Sequence, residues 1–216
     1  MTKKEKIISF ITVGLVICFG IFLICYFSIP RINYNYDKDE NCYYVNTVFG
    51  NAKSYEILDE IDGIKVTYIN EKAFMDKTKL ESVKMGKNIS KIERLAFANC
   101  ANLKDIDLSM VSSIGRNAFM ECESLESVNL SAIDILGGAF IDCVSLSKVT
   151  LNNTVTIGSY AFTGTVITEI VLPSTLTTVG VDAFSSCNYL TKIECYSNLL
   201  LEDEYLLSLG SIVIFK

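Results

Sequence analysis

Residues 114–130 read Ile114-Gly115-Arg116-Asn117-Ala118-Phe119-Met120-Glu121-Cys122-Glu123-Ser124-Leu125-Glu126-Ser127-Val128-Asn129-Leu130, and this stretch decides the fold. Its Ala-Phe pair recurs at Ala73-Phe74, Ala96-Phe97, Ala118-Phe119, Ala139-Phe140, Ala161-Phe162 and Ala183-Phe184. The phenylalanines stand 23, 22, 21, 22 and 22 residues apart. A period this regular predicts one supersecondary unit stacked on copies of itself, a solenoid.

Working outward from Ala-Phe, an Ile or Val lies four residues before each Ala: Ile69, Ile92, Ile114, Ile135, Ile157 and Val179. Leu80, Leu103, Leu125, Leu146 and Leu190 follow the Phe at six residues, and Ile167 takes that role in the fifth unit. Each unit closes on an alternating run such as Ile106-Asp107-Leu108 or Val149-Thr150-Leu151. Alternation predicts a strand half-buried on one face. Around Ala-Phe, the spacing of Ile114, Ala118, Phe119 and Cys122 predicts a short helical or 3₁₀ turn. The expected fold class is therefore an α/β solenoid with a ~22-residue repeat, its short parallel strands lining a concave side. Its core is a column of phenylalanines. Three residues after the Phe, Cys100, Cys122, Cys143 and Cys187 recur, with Lys77 and Thr165 at the same place in the first and fifth units. A small residue able to hydrogen-bond at a fixed position predicts an internal ladder that satisfies backbone groups at a bend.

The pattern Ile-Gly-x-x-Ala-Phe-x-x-Cys-x-x-Leu-x-x-Val-x-Leu resembles the BspA-like leucine-rich repeats, and residues 114–130 match it position for position. Leu172-Pro173 carries the Leu-Pro common in that family. The lead-in Ile61-Asp62-Gly63-Ile64-Lys65-Val66-Thr67-Tyr68-Ile69 looks like the family's Asp-Gly-x-x-Val-x-x-Ile. The resemblance covers about residues 43–200. It implies a leucine-rich repeat coil and a surface-exposed interaction or adhesion protein, usually without enzymatic activity. The family's partners vary, so no partner carries over.

Residues 7–29 hold no charged side chain, follow Lys3, Lys4 and Lys6, and precede Arg31 and the run Asp37-Lys38-Asp39-Glu40. As a helix they would extend about 34 Å, enough to cross a bilayer. The flanking charges place residues 1–6 in the cytoplasm and the repeats outside. A cleaved signal peptide is the competing reading; the apolar stretch is long for one, and Tyr26 and Phe27 leave no small-x-small site. A single-pass signal-anchor at the cell membrane is favoured, with the repeat domain extracellular. The expected divisions are a basic stub at 1–6, the anchor at 7–29, a juxtamembrane linker at 30–41 and a cap or degenerate repeat at 42–66. Six repeats follow at 67–196, then a second cap at 197–216 whose Ser211–Phe215 run predicts a last strand.

The 216 residues carry a net charge of −6, and residues 1–6 contribute +2, which leaves −8 on the remainder. That balance argues against nucleic acid and anionic membranes as ligands. Six of the eight cysteines lie outside the apolar stretch. Extracellular cysteines suggest disulfides, but the ladder phase favours buried free thiols at four of them, and Cys42 and Cys195 have no ladder partner.

The chain has no His, which removes the commonest general base and most zinc sites. It has no Cys-x-x-Cys pair, and Gly137-Gly138 reads as a repeat bend rather than a phosphate loop. Asp105, Asp107, Glu169 and Glu194 are carboxylates on an open face, without a cleft to set them up as an acid–base pair. Asp37, Asp39 and Glu40 could hold calcium, but a charged linker next to a membrane accounts for them more simply. No cofactor or metal is expected.

The residues flanking the buried Val or Ile of each strand define a candidate binding face. They are Ser82 and Lys84; Asp105 and Asp107; Ser127 and Asn129; Lys148 and Thr150; Glu169 and Val171; and Lys192 and Glu194. The stripe is polar and has none of the Tyr, Trp or Arg that dominate hot spots; Tyr34, Tyr36, Tyr43 and Tyr44 offer more aromatic area. Two readings follow. One is a membrane-anchored surface protein that binds protein partners, or an adhesin, through weak contacts multiplied by display. The other is an envelope scaffold whose repeats contact neighbouring membrane proteins.

Overall fold

The computed structural model describes residues 30–196 and 213–215. Each coil contributes two short strands. The first carries the Ile or Val that precedes Ala-Phe. These strands, Lys91–Ile92, Ser113–Ile114, Asp134–Ile135, Thr156–Ile157 and Thr178–Val179, pair in parallel and in order. They extend a nine-stranded sheet that begins with Arg31–Asp37, Cys42–Phe49 and Ile64–Ile69. The second strand is the predicted alternating one. Ser54–Glu56, Ser82–Lys84 and Asp105–Ile106 form one sheet, Ser127–Leu130 and Lys148–Leu151 another. Glu169–Val171, Lys192–Cys195 and Val213–Phe215 form the third. The sequence pattern pointed to one strand per coil. The other escapes it because it is two residues long, too short to alternate.

Ala-Phe segments are turns, and the described residues contain no helix. This corrects the helical or 3₁₀ expectation, and the backbone shows why. Leu95 and Asn99 flank Ala96-Phe97-Ala98 with φ of 58° and 61°. The same two positions are left-handed in every coil, from Lys72 and Asp76 to Asp182 and Ser186. This alternation breaks a right-handed helix and turns every second N–H outward. Leu95, Phe97 and Asn99 donate to Arg116, Ala118 and Met120 of the next coil at 3.0, 2.7 and 2.8 Å. Ala96, Ala98 and Cys100 donate within their own coil to Glu93, Leu95 and Phe97, each at 3.2 Å. Buried backbone donors are thus paired along the coil axis and around it.

The ladders set the spacing of everything inside. Phe74, Phe97, Phe119, Phe140, Phe162 and Phe184 stack with centroids 4.7, 5.1, 5.1, 5.4 and 5.6 Å apart. Beyond the first pair their planes lie within 5° of parallel. The adjoining alanines are fully or almost fully buried. A larger side chain there would have to fit between coils about 5 Å apart.

The ends close the column. Residues 31–37, expected in a linker, form a strand antiparallel to Cys42–Phe49. Their polar composition hid this, because the tyrosines use their rings and hydroxyls together. Tyr34 accepts the Leu58 N–H at 3.1 Å, and Tyr44 stacks on Tyr68 with centroids 4.6 Å apart. Tyr55 meets Phe74 edge-on at 5.7 Å and covers the first ring of the stack. At the other end, Val213–Phe215 pairs in parallel with Lys192–Cys195. Among the described residues no helix is long and apolar enough to cross a membrane. The anchor expected at 7–29, the stub at 1–6 and most of the cap at 197–216 lie outside the described residues.

Two substitutions test this packing. Phe119→Ala should cost about 3–5 kcal/mol, through lost transfer energy plus a cavity that stacked neighbours cannot collapse into, read from urea unfolding. Thr154 occupies a column otherwise filled by Ile89, Val111, Ala132 and Leu176, and its buried hydroxyl has no hydrogen-bond partner. Thr154→Val should therefore raise stability by about 1 kcal/mol in the same measurement.

Candidate binding faces

The predicted stripe is present as a register of exposed positions. Ser82 stands beside Asp105, Ser127 beside Lys148, Asn129 beside Thr150, Glu169 beside Lys192 and Val171 beside Glu194. Inward neighbours Val83, Ile106, Val128, Val149, Ile170 and Ile193 are all buried. Ser82, Lys192 and Glu194 are half-buried and the rest of the stripe is exposed.

Among the described residues, three of its seven charged side chains form ion pairs. Lys84 pairs with Glu56 at 2.6 Å, and Lys192 with Glu194 on its own strand. The exposed Lys84–Glu56 pair contributes at most about 1 kcal/mol. Asp107 falls just beyond its strand, in a turn, where its carboxylate accepts the Ser109 N–H at 2.9 Å. Hydrogen bonds from the Ser109 hydroxyl and N–H hold that carboxyl below the usual range, so it stays ionised and is no proton donor near neutrality. The stripe is flat and solvated, with nothing to desolvate a reacting group.

Inside the coils runs the ladder. The Sγ of Cys100 donates to the Phe74 carbonyl at 3.1 Å, Cys122 to Phe97 at 3.3 Å and Cys143 to Phe119 at 3.1 Å. Cys187 reaches Phe162 at 3.1 Å. In the first coil the Lys77 ammonium serves the Gly50 carbonyl at 2.9 Å, and in the fifth Thr165 serves Phe162 of its own coil at 2.9 Å. Six cysteines of the described residues are buried and unbridged. Among the described residues no cluster of three or more His, Cys, Asp or Glu could hold a metal. The Asp37 carboxylate instead accepts the N–H groups of Asp39 and Glu40 at 3.0 and 3.2 Å and the Tyr68 hydroxyl at 2.9 Å.

A second feature lies on the bend between the nine-stranded sheet and Ala-Phe. A groove of about 610 Å³ is lined by Arg94, Arg116, Leu136, Gly137, Gly138 and Tyr160, among others. Successive coils place Arg116-Asn117, Gly137-Gly138 and Ser159-Tyr160 at one pair of positions. The glycine coil is a missing course of side chains, and the groove is the gap it leaves. Sequence reading took Gly137-Gly138 only as a bend. Aligning the coils side by side carries the missing signal.

Fold and register define a leucine-rich repeat solenoid. The description "BspA type Leucine rich repeat region" matches in six copies, over residues 46–165 and 155–212. The chain belongs to the BspA-type leucine-rich repeat family. Among solved structures it is similar to a leucine-rich cell surface protein of Faecalibacterium prausnitzii A2-165, at 27% identity and a TM-score of 0.63. That likeness covers 77% of this chain and 54% of the other, so this chain spans about half its length. It also shares its fold with the leucine-rich repeat protein TpLRR of T. pallidum, at 22% identity and a TM-score of 0.56. There the coverage is 76% of this chain and 68% of that one. No curated protein matches the sequence significantly. Leucine-rich repeats of this kind are interaction scaffolds, typically without catalysis.

The thiol ladder gives a pH signature. Burial pushes Cys100 and Cys143 up to about 12 and raises Cys122, Cys187 and Cys195 in the same direction. Unfolded thiols ionise near about 8.5, so above that pH the unfolded chain holds fewer protons than the folded one. The ladder's stabilisation is full below pH ~8.5 and is lost as pH rises toward 12. The melting temperature should fall across that window, and less steeply in Cys143→Ser, which still donates to the carbonyl without ionising.

Proposed function

We propose that this chain is a single-pass surface protein, held in the cell membrane by residues 7–29 and displaying its repeats outside the cell to bind protein partners. The observation that carries the reading is the strand stripe. Six stacked coils hold polar, mostly exposed side chains at fixed register over a fully packed core. A rigid scaffold presents such a face without paying to order it on binding. The family supports interaction in general, and the cell-surface relative supports display. Adhesion is the extension of this reading: individually weak contacts become useful when many copies face the same target. The proposal assigns the chain no catalytic role and no nucleic-acid ligand.

The test begins with topology. With a tag after Lys216, protease added to intact cells should remove the tag while a cytoplasmic marker survives. A protected tag would sink the surface reading and leave an intracellular scaffold. A tag in the medium would mean that residues 7–29 are cleaved. On a surface-exposed chain, the combined reversal Lys84→Glu, Asp107→Lys and Lys148→Glu should abolish capture of a partner protein cross-linked to the wild type. Unchanged capture would remove the stripe from the binding surface.

A further inference from the structure

We infer that the groove at Gly137-Gly138 is a second contact site, which takes an acidic segment of a protein partner in extended conformation. The inference rests on the protein-binding reading above and adds to it the place and the chemistry of a pocket.

Charge is the first argument. The whole chain has three arginines in a net −6 background, and two of them, Arg94 and Arg116, line this groove. No carboxylate lines it. The two arginines differ in state. Arg94 pairs with Glu71 one coil earlier, and Lys72 also reaches Glu71, at 3.6 Å. Arg116, one coil later, would meet an acidic partner only if the next coil supplied one, and that coil supplies Gly137. Among the described residues Arg116 has no ion-pair partner. An exposed arginine on the lining of a groove can hold a carboxylate in bidentate geometry.

The opposite wall is Tyr160. It stands 47% exposed on a left-handed backbone, φ 61°. The equivalent position in the two preceding coils holds Asn117 and Gly138, residue types that tolerate that conformation at least cost. A large aromatic placed there without being buried contributes little to the core, and it offers a rigid apolar plane with a polar tip to a ligand. Leu136, 39% exposed, adds aliphatic surface beside it. Arginine and tyrosine are absent from the strand stripe, and both are characteristic of binding hot spots.

Width fixes the shape of the occupant. The phenylalanines of the three coils step by 5.1 and 5.4 Å, so the walls belong to coils about 10 Å apart. That admits one extended chain or one side chain, and excludes a helix of about 10–12 Å diameter. Backbone conformation disfavours a side chain at Gly138. A Cβ at Gly138 would sit 2.2 Å from Asn117 Oδ1, on a backbone with φ +66°. The partner segment thus carries Asp or Glu for Arg116, next to an apolar or aromatic residue for Tyr160 and Leu136.

The test uses the full-length chain in detergent. Heptapeptides are selected from a random display library on immobilised protein. Two groove variants, Arg116→Gln and Tyr160→Asn, serve as comparisons, the second keeping a residue suited to the left-handed backbone. Selected peptides should be enriched in Asp or Glu beside an apolar residue. Each variant should weaken their binding about ten-fold or more with unchanged circular dichroism, and Glu→Gln in the peptide should do the same. If one variant fails to fold, the other and the peptide substitution decide. Peptides without acidic enrichment, or binding indifferent to both variants, would overturn the inference. So would polygalacturonate occupying the groove when no peptide does. Binding lost in the charge-reversed stripe but kept in both groove variants would overturn this inference while leaving the proposed function standing.

Discussion

The whole structure depends on one repeated constraint: successive coils are joined by backbone hydrogen bonds, so their spacing is set near 5 Å and cannot be negotiated locally. Inside that spacing a phenyl ring has one good orientation, parallel to the rings above and below, and the column adopts it. The adjoining residue must be small. The carbonyls of Phe74, Phe97 and Phe119, accepting already from their own coil, have room for one further donor, and a thiol of the next coil supplies it. Ala, Phe and Cys are therefore three consequences of one distance.

Much of this can be read from the sequence because repetition multiplies weak signals. One Ala-Phe pair means little, whereas six at a steady period specify a coil, its core and its outward stripe. What escapes is what varies in chemistry while staying fixed in conformation. The first left-handed position of each Ala-Phe turn is Lys72, Leu95, Asn117, Gly138, Tyr160 and Asp182 in turn. No residue type marks it, so the segment reads as helical although its backbone is not. The N-terminal strand escapes for a related reason. Arg31–Asp37 looks like solvent-exposed linker because its tyrosines are half polar, and only its pairing with Cys42–Phe49 and the contact of Tyr36 with Tyr43 reveal a cap.

The two candidate faces show the same division. The stripe is legible, since alternation within a strand says which side chains point outward. The groove is not, because it is made by two residues without side chains and acquires meaning only against the coils on either side. Arg116 and Tyr160 are 44 positions apart in the chain and face each other across a single missing layer. They supply the guanidinium and aromatic groups that the stripe omits.

The near-interchangeability of coils has an evolutionary corollary. A 22-residue duplication or deletion in register would present the same ladders to its neighbours, so the rod could lengthen or shorten without redesign of either cap. The notch would not travel with such an event in the same way. A coil gained before Gly137 would shift the notch outward from the N-terminal cap by one rise, and a coil gained after it would leave its height unchanged. If residues 7–29 hold the chain at a surface, repeat number upstream of the double glycine acts as a ruler for how far that notch stands from it.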